Sequence, residues 1–134
     1  MFWNGKHIMA MQRDYPRRDR ALPSLAFAYS LDGCQTWSSP KPFLPAANTL
    51  AWNEVGRVID PTLVVDADGL LHCFFIGTVN VAGGEDSKRA NVLGHAVTSD
   101  GNLVDWKIDP EPLKGVSKRA PDGVENVAVF QLNG

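Results

Sequence analysis

Two carboxylates stand at matching places in this chain. Asp60 lies nine residues before Gly69, and Glu125 lies nine before Gly134. Each glycine closes a turn dipeptide, Asp68-Gly69 or Asn133-Gly134, so the two acids share one phase of a long repeat. Where equivalent positions of a repeat converge on an axis, their carboxylates face a common space. Convergent carboxylates suit the cleavage of a glycosidic bond: one acid protonates the leaving oxygen while another activates water or attacks, and their separation sets the stereochemical outcome. Crowding raises the proton affinity of one of them, which keeps it protonated near neutral pH. The same arithmetic puts a third acid nine places before Gly5, five positions upstream of Met1. The 134-residue chain is therefore not expected to hydrolyse a substrate alone.

Other side chains could serve such a site. Trp52, eight residues before Asp60, has a face on which a sugar ring can stack, and Asn53 and Arg57 occupy the same irregular stretch, 44–57. Arg17 and Arg18 lie in the polar segment RDYPRRDRALP (13–23), where a guanidinium could grip a sugar carboxylate through two parallel hydrogen bonds; Ser87-Lys88-Arg89 lies in the matching segment of the second unit. Each has a plain structural alternative. Trp52 could cover the core, and the arginines could pair with Asp14 and Asp19. His7, His72 and His95 have no metal-ligand spacing and read as structural, so no metal or other cofactor is expected.

The elements that must position these residues form a repeat. RVIDPTLVVDADGLLHCFF (57–75) reads as a hairpin, with strands 61–66 and 70–77 on either side of Asp68-Gly69. Parts of the same hairpin open the chain around Asn4-Gly5 and close it on Asn133-Gly134, so the turn glycines stand 64 and then 65 residues apart. A second series interleaves with the first: SLDGCQTW (30–37) and SDGNLVDW (99–106) each follow an apolar run, turn on Asp-Gly and end on Trp. The remaining strands are expected at 6–12, 24–30, 37–43, 91–98 and 105–109, with polar loops at 13–23, 79–90 and 110–124. No segment has helical periodicity. Four short antiparallel strands in about 65 residues fit one blade of a β-propeller. The fold class is therefore all-β: a single partial propeller domain of about two blades, 1–43 and 58–110, with a third beginning at 125. Continuous apolar runs such as LLHCFFI suit sheets covered on both faces. A β-sandwich also uses short strands, but it does not explain the repeat.

Composition narrows the partners. The chain is 44% hydrophobic and 21% charged, with a net charge of -2, the make-up of a soluble globular domain. A mildly acidic chain is not expected to bind nucleic acid. No apolar run approaches the roughly 20 residues of a membrane-spanning helix, and MFWNGKHIMAM lacks the layout of a signal peptide. Cys34 and Cys73 read as free thiols. Two blades do not close a ring and leave strand edges open, so the expectation is either a fragment of a longer propeller or copies of the chain that associate to complete one.

IDPTLVVDADGLLHCFF, SDGNLVDW and ENVAVF together resemble successive blades of the five-bladed propeller glycoside hydrolases, closest to family 43 with its arabinanases and xylosidases, then to the fructosidases. The resemblance covers nearly the whole chain but only two of five blades. It implies a carbohydrate substrate of arabinose or xylose type, with Asp60 tuning and orienting the proton donor and Glu125 as the general acid. Asn126-Val127 departs from the family's usual Gly or Ala followed by Pro after that glutamate. SLDGCQTWSSP also resembles the Asp-box of sialidases, a peripheral turn whose glycine usually falls where this chain has Cys34; that likeness admits an acidic sugar as substrate. The rival class is a non-catalytic propeller module whose acids bind sugar hydroxyls or whose blades serve assembly.

Overall fold

The computed structural model describes residues 1–17, 20–43, 50–53, 57–81, 88–114 and 127–130. These form two four-stranded antiparallel sheets, each in simple sequential order. The first contains β1 (Phe2–Trp3), β2 (Lys6–Arg17), β3 (Arg20–Ser30) and β4 (Lys41–Phe43), and the second contains β5 (Ile59–Val65), β6 (Leu71–Val81), β7 (Lys88–Thr98) and β8 (Lys107–Ile108). There is no helix among the described residues, and the sheets do not close into a barrel. The chain is thus a two-blade β fragment, as the repeat requires.

The turns account for the register. Trp3 pairs with Lys6 across Asn4-Gly5, and both turn residues have positive φ, 48° and 72°. That is the two-residue hairpin an Asn-Gly dipeptide favours. Gly69, at φ 79°, closes the matching turn, where the Asp66 carboxylate accepts from the Asp68 and Leu70 amides. In the polar segment 13–23, expected to be a loop, residues 13–17 and 20–23 are instead strand: β2 and β3 stay paired out to Arg17 opposite Arg20. Its two prolines do not stop the ribbon. Pro16 pairs with Ala21 and Pro23 with Asp14, positions two apart and therefore of one class, so both missing amides can fall where the ladder has no bond. β6 and β7 likewise run further than expected, to Val81 opposite Lys88, while the outer strands β4 and β8 are shorter.

One core joins the sheets. Alternation sends Ile8, Leu25 and Phe27 of the first sheet against Leu71, Cys73, Phe75 and Ala96 of the second, with Trp3, Phe43, Val58 and Leu103 filling between them. Phe27, Phe43, Phe75 and Trp106 meet ring to ring at centroid distances of 4.9–5.5 Å. Polar ties fix the first sheet to the second sheet's turns: Trp3 Nε1 donates to the Gly69 carbonyl at 2.8 Å, and Lys6 Nζ to the Gly101 carbonyl at 2.7 Å. Lys6 also lies 4.4 Å over the Tyr29 ring, a cation–π contact.

Both Asp-Gly-to-Trp segments are built around an acid. Asp32 accepts from the Gln35 and Thr36 amides and from the Ser30 and Thr36 hydroxyls, and Asp100 accepts from the Asn102, Val104 and Asp105 amides. Ser30 and Thr98 hold corresponding places, each accepting from the amide of the acid that follows. The Thr36 contacts, then the Ser30 hydroxyl, bring the Asp32 carboxyl down to about 2. A folded-state value below the unfolded one, 3.8, contributes stability that is present above pH 4 and lost as pH falls towards 2. Asp32→Asn is therefore expected to flatten the wild-type chain's loss of stability between about pH 4 and 2, read as urea midpoints across that range. Cys34 is exposed and has φ 72°, the left-handed conformation that explains why glycine fits that place in an Asp-box. A side chain there strains the backbone, whereas glycine adds unfolded-state entropy. Cys34→Gly should be a net gain of roughly 0.5–1 kcal/mol in denaturant unfolding.

The repeat can be followed face by face. Gly69 stands 64 residues after Gly5 and Asp100 stands 68 after Asp32. These offsets carry Ile8 to His72, Leu25 to Leu93 and Phe27 to His95. The face by which the first sheet packs on the second therefore corresponds to the opposite, outward face of the second. There Ile59, Ile76 and Leu93 form a smaller cluster with Phe74, Leu113 and Val127.

Candidate functional site

Asp60 lies at the start of β5, at the end of the sheet away from the Gly69 turn. Ile59 pairs with Ile76 but Thr62 pairs with Phe74, so β5 carries one extra residue here. Asp60 takes up the irregularity with φ 51°. A left-handed non-glycine residue costs about 1–3 kcal/mol and persists where its surroundings impose it; a following proline disfavours helical backbone still further. The half-buried Asp60 side chain forms no hydrogen bond or ion pair with another described residue. A strained, bulged position thus presents an uncommitted carboxylate, and bulges commonly re-aim side chains in this way.

Glu125 and Arg18 lie outside the described residues. The next described residue after Glu125 is Val127, and the Thr62 hydroxyl donates to the Val127 carbonyl. Thr62 follows Asp60 by two positions, as Val127 follows Glu125. Two positions 65 residues apart, the spacing of the turn glycines Gly69 and Gly134, are therefore in contact through the Thr62 side chain.

The other expected binding residues divide. Trp52 stacks on Phe75, with centroids 6.2 Å apart and planes 18° apart, and its ring fills the space a Cβ on Gly77 would take. It covers the core, the structural alternative for this residue. Asn53 is 1% exposed. Its amide donates to the Arg57 carbonyl at 2.9 Å and its carbonyl accepts from the Thr78 amide at 3.1 Å. Each end of the amide thus helps to hold the segment before β5 against β6. Arg57 is half-buried, with no ion pair among the described residues. Arg17 ends β2 opposite Arg20, at the tip of a ribbon that runs away from the Gly5 and Gly69 turns towards the Asp60 end. Arg57 precedes Asp60 by three residues, and Asn53 fixes the Arg57 backbone through its carbonyl.

No known family model, curated protein or solved structure matches this chain. The chemistry must therefore be read from the side chains themselves.

A second cluster escaped the sequence reading. Asp66 Oδ2 lies 2.9 Å from His72 Nε2, His72 Nδ1 lies 2.8 Å from His95 Nε2, and His95 Nδ1 lies 2.9 Å from Asp109 Oδ2. This four-residue row crosses the outward face of the second sheet. The hydrogen bond from His72, then the Leu70 amide, hold the Asp66 carboxyl below its usual value. Separation by 23 residues concealed the histidines, although the register, with His72 opposite Val97 and Phe74 opposite His95, makes them diagonal neighbours on one face. The available signal was a lone histidine at matching parity in each of two largely apolar strands. No group of three or more His, Cys, Asp or Glu among the described residues is arranged to hold a metal ion. Cys73 is buried and its thiol is pushed well above the usual range by desolvation, which leaves it an inert core side chain.

Two shallow concavities of about 530 and 550 Å³ open near the turn end, one beside Trp106 and Val97, the other beside Phe2 and Gly69. Neither is lined by Asp60 or Arg57.

Proposed function

We propose that this chain is part of a propeller glycoside hydrolase that cleaves arabinose- or xylose-type glycans, with Asp60 as the carboxylate that tunes and orients the proton donor and Glu125 as that donor. The observation that carries the reading is the contact between Thr62 and Val127, which joins the two repeat positions lying two residues beyond the acids. The strained, unpartnered Asp60 supports it further. A third carboxylate from another unit, of the same polypeptide or of a neighbouring copy, would complete the mechanism, and the residues of this chain supply glycan binding.

Arabino- and xylo-oligosaccharides titrated into the 134-residue chain test this. Binding that weakens at least about tenfold in Asp60→Asn, the size of one charge-assisted hydrogen bond, is the expected result. Absence of binding, or binding indifferent to Asp60, overturns it. A sialylated oligosaccharide in the same titrations distinguishes an acidic sugar as ligand.

A second reading, a non-catalytic module assembled from copies, is favoured by the outward face of the second sheet, which repeats the packing face of the first. A second copy's first sheet would stack there as the sheets stack within one chain. Sedimentation that gives one monomeric species up to high concentration rejects it.

A further inference from the structure

The row Asp66–His72–His95–Asp109 has three hydrogen-bonded gaps, each 2.8 or 2.9 Å. A gap of that length between two electronegative atoms needs one proton; without it, lone pairs face each other. Two neutral imidazoles bring only two protons, and two carboxylates bring none. If His72 gives its proton to Asp66 and His95 gives its proton to Asp109, the central Nδ1···Nε2 gap is empty. Placing a proton in the centre instead empties an outer gap and sets an imidazole lone pair against a carboxylate. Two protons close two gaps only.

We infer that the His72–His95 pair is a site for a single shared proton, carried on the Nδ1···Nε2 bridge between two ionised carboxylates. The proton balance is simple: the pair takes one proton from water, no covalent bond changes, and the row as a whole carries one negative charge. Removing that proton sets two lone pairs together at 2.8 Å. Adding another sets two N–H groups head to head. Either change opens the bridge, so the row is closed in one protonation state.

Its surroundings favour that state. His72 and His95 side chains are 21% and 15% exposed, and Asp66 and Asp109 flank them at 34% and 39%, so the bridging charge sits in partial shelter with an anion on each side. Phe74 lies against the His95 ring, with centroids 4.9 Å apart, and walls the bridge from the β6 side. Among the described side chains, and apart from Asp60 at the far end of β5, the remaining charged groups on neighbouring elements are Lys107 of β8 and Glu111 and Lys114 beyond it. All three are exposed, and none forms an ion pair with the row. The described C-terminal segment, Val127 to Phe130, brings no charge.

The first sheet shows what the site replaces. Its equivalents of His72 and His95 are Ile8 and Phe27, both buried against the second sheet. A purely apolar contact face in one unit is, in the next, a face that binds a proton. Whatever sheet covers it meets a surface whose side-chain arrangement depends on pH.

Imidazole-nitrogen NMR on the uniformly ¹⁵N-labelled full chain tests the count directly. The expected result at neutral pH is three ring N–H signals from the two histidines, with a through-hydrogen-bond coupling between His72 Nδ1 and His95 Nε2. Two ring N–H signals and two neutral rings overturn the inference. Since His95→Phe restores the first sheet's pattern, it supplies a second measurement: the variant is expected to take up one proton fewer per chain at neutral pH than the wild type, by comparative titration. Equal uptake also overturns the site. Neither readout involves a glycan, so the site and the proposed hydrolase stand or fall separately.

Discussion

Phe43→Ala is expected to destabilise the chain by about 3–5 kcal/mol, the usual cost of removing a buried aromatic side chain. The ring is 1% exposed and meets Phe27, Phe75 and Trp106 edge-on at 5.3, 5.5 and 5.2 Å. Two of these partners belong to the second sheet or the turn before β8, so Phe43 closes the joint between the units, not only the edge of its own sheet. Collapse around the cavity is limited, because each neighbouring ring is held by the others: Phe27 stacks on Trp106 at 4.9 Å, and Phe75 stacks on Trp52. Domains of this size have a total stability of about 5–15 kcal/mol, so one substitution removes a large share of it. Thermal unfolding should show Tm falling by roughly 10–20 °C. Phe130→Ala is the control, since Phe130 is 72% exposed and its loss should stay within about 0.5 kcal/mol. Equal small shifts in both variants would mean that the aromatic joint does not hold the sheets together.

The aromatic joint was only partly legible in the sequence. Apolar runs and Asp-Gly or Asn-Gly turns identified both four-stranded units, because turn chemistry and alternation are local and act within a few residues. The strand ends were not legible in the same way. In RDYPRRDRALP, charge and proline both signal a loop, yet β2 and β3 stay paired as far as Arg17 and Arg20, since the register can place both prolines at unbonded positions. Phe43 ends a segment with two prolines, a pattern that marks no more than an edge strand. Its importance comes from Trp106 and Phe75, partners at a sequence distance that no local pattern reports.

The same limit applied to the candidate site. Asp60 was found by counting from turn glycines, a repeat signal that survives without knowledge of contacts. Trp52 and Asn53 were chosen by residue type near Asp60, but type does not say which way a side chain faces; Gly77 leaves room for one and the Thr78 amide fixes the other. The His72–His95 row needed the register of β6 on β7. Spacing rules written for metal ligands act along the sequence and do not report a contact made across two strands.

Substitutions at Asp60 separate strain from chemistry. Asn tolerates the left-handed region nearly as well as Asp, so Asp60→Asn should leave stability unchanged while removing the charge. Glycine has no left-handed penalty. At φ 51°, Asp60→Gly should therefore gain about 1 kcal/mol even after its added unfolded-state entropy. Asp60→Ala keeps the strain but loses the short polar side chain that makes it tolerable, and should cost about 1 kcal/mol. In the assembly that completes the proposed active site, all three should lower kcat by about 10²–10⁴-fold, the range for a lost general acid–base contribution. A variant that is more stable and also inactive marks a residue kept for function at the expense of the fold. If Asp60→Gly gains stability and retains full turnover, Asp60 is only the corner of a bulge, and the proton donor needs another carboxylate to orient it.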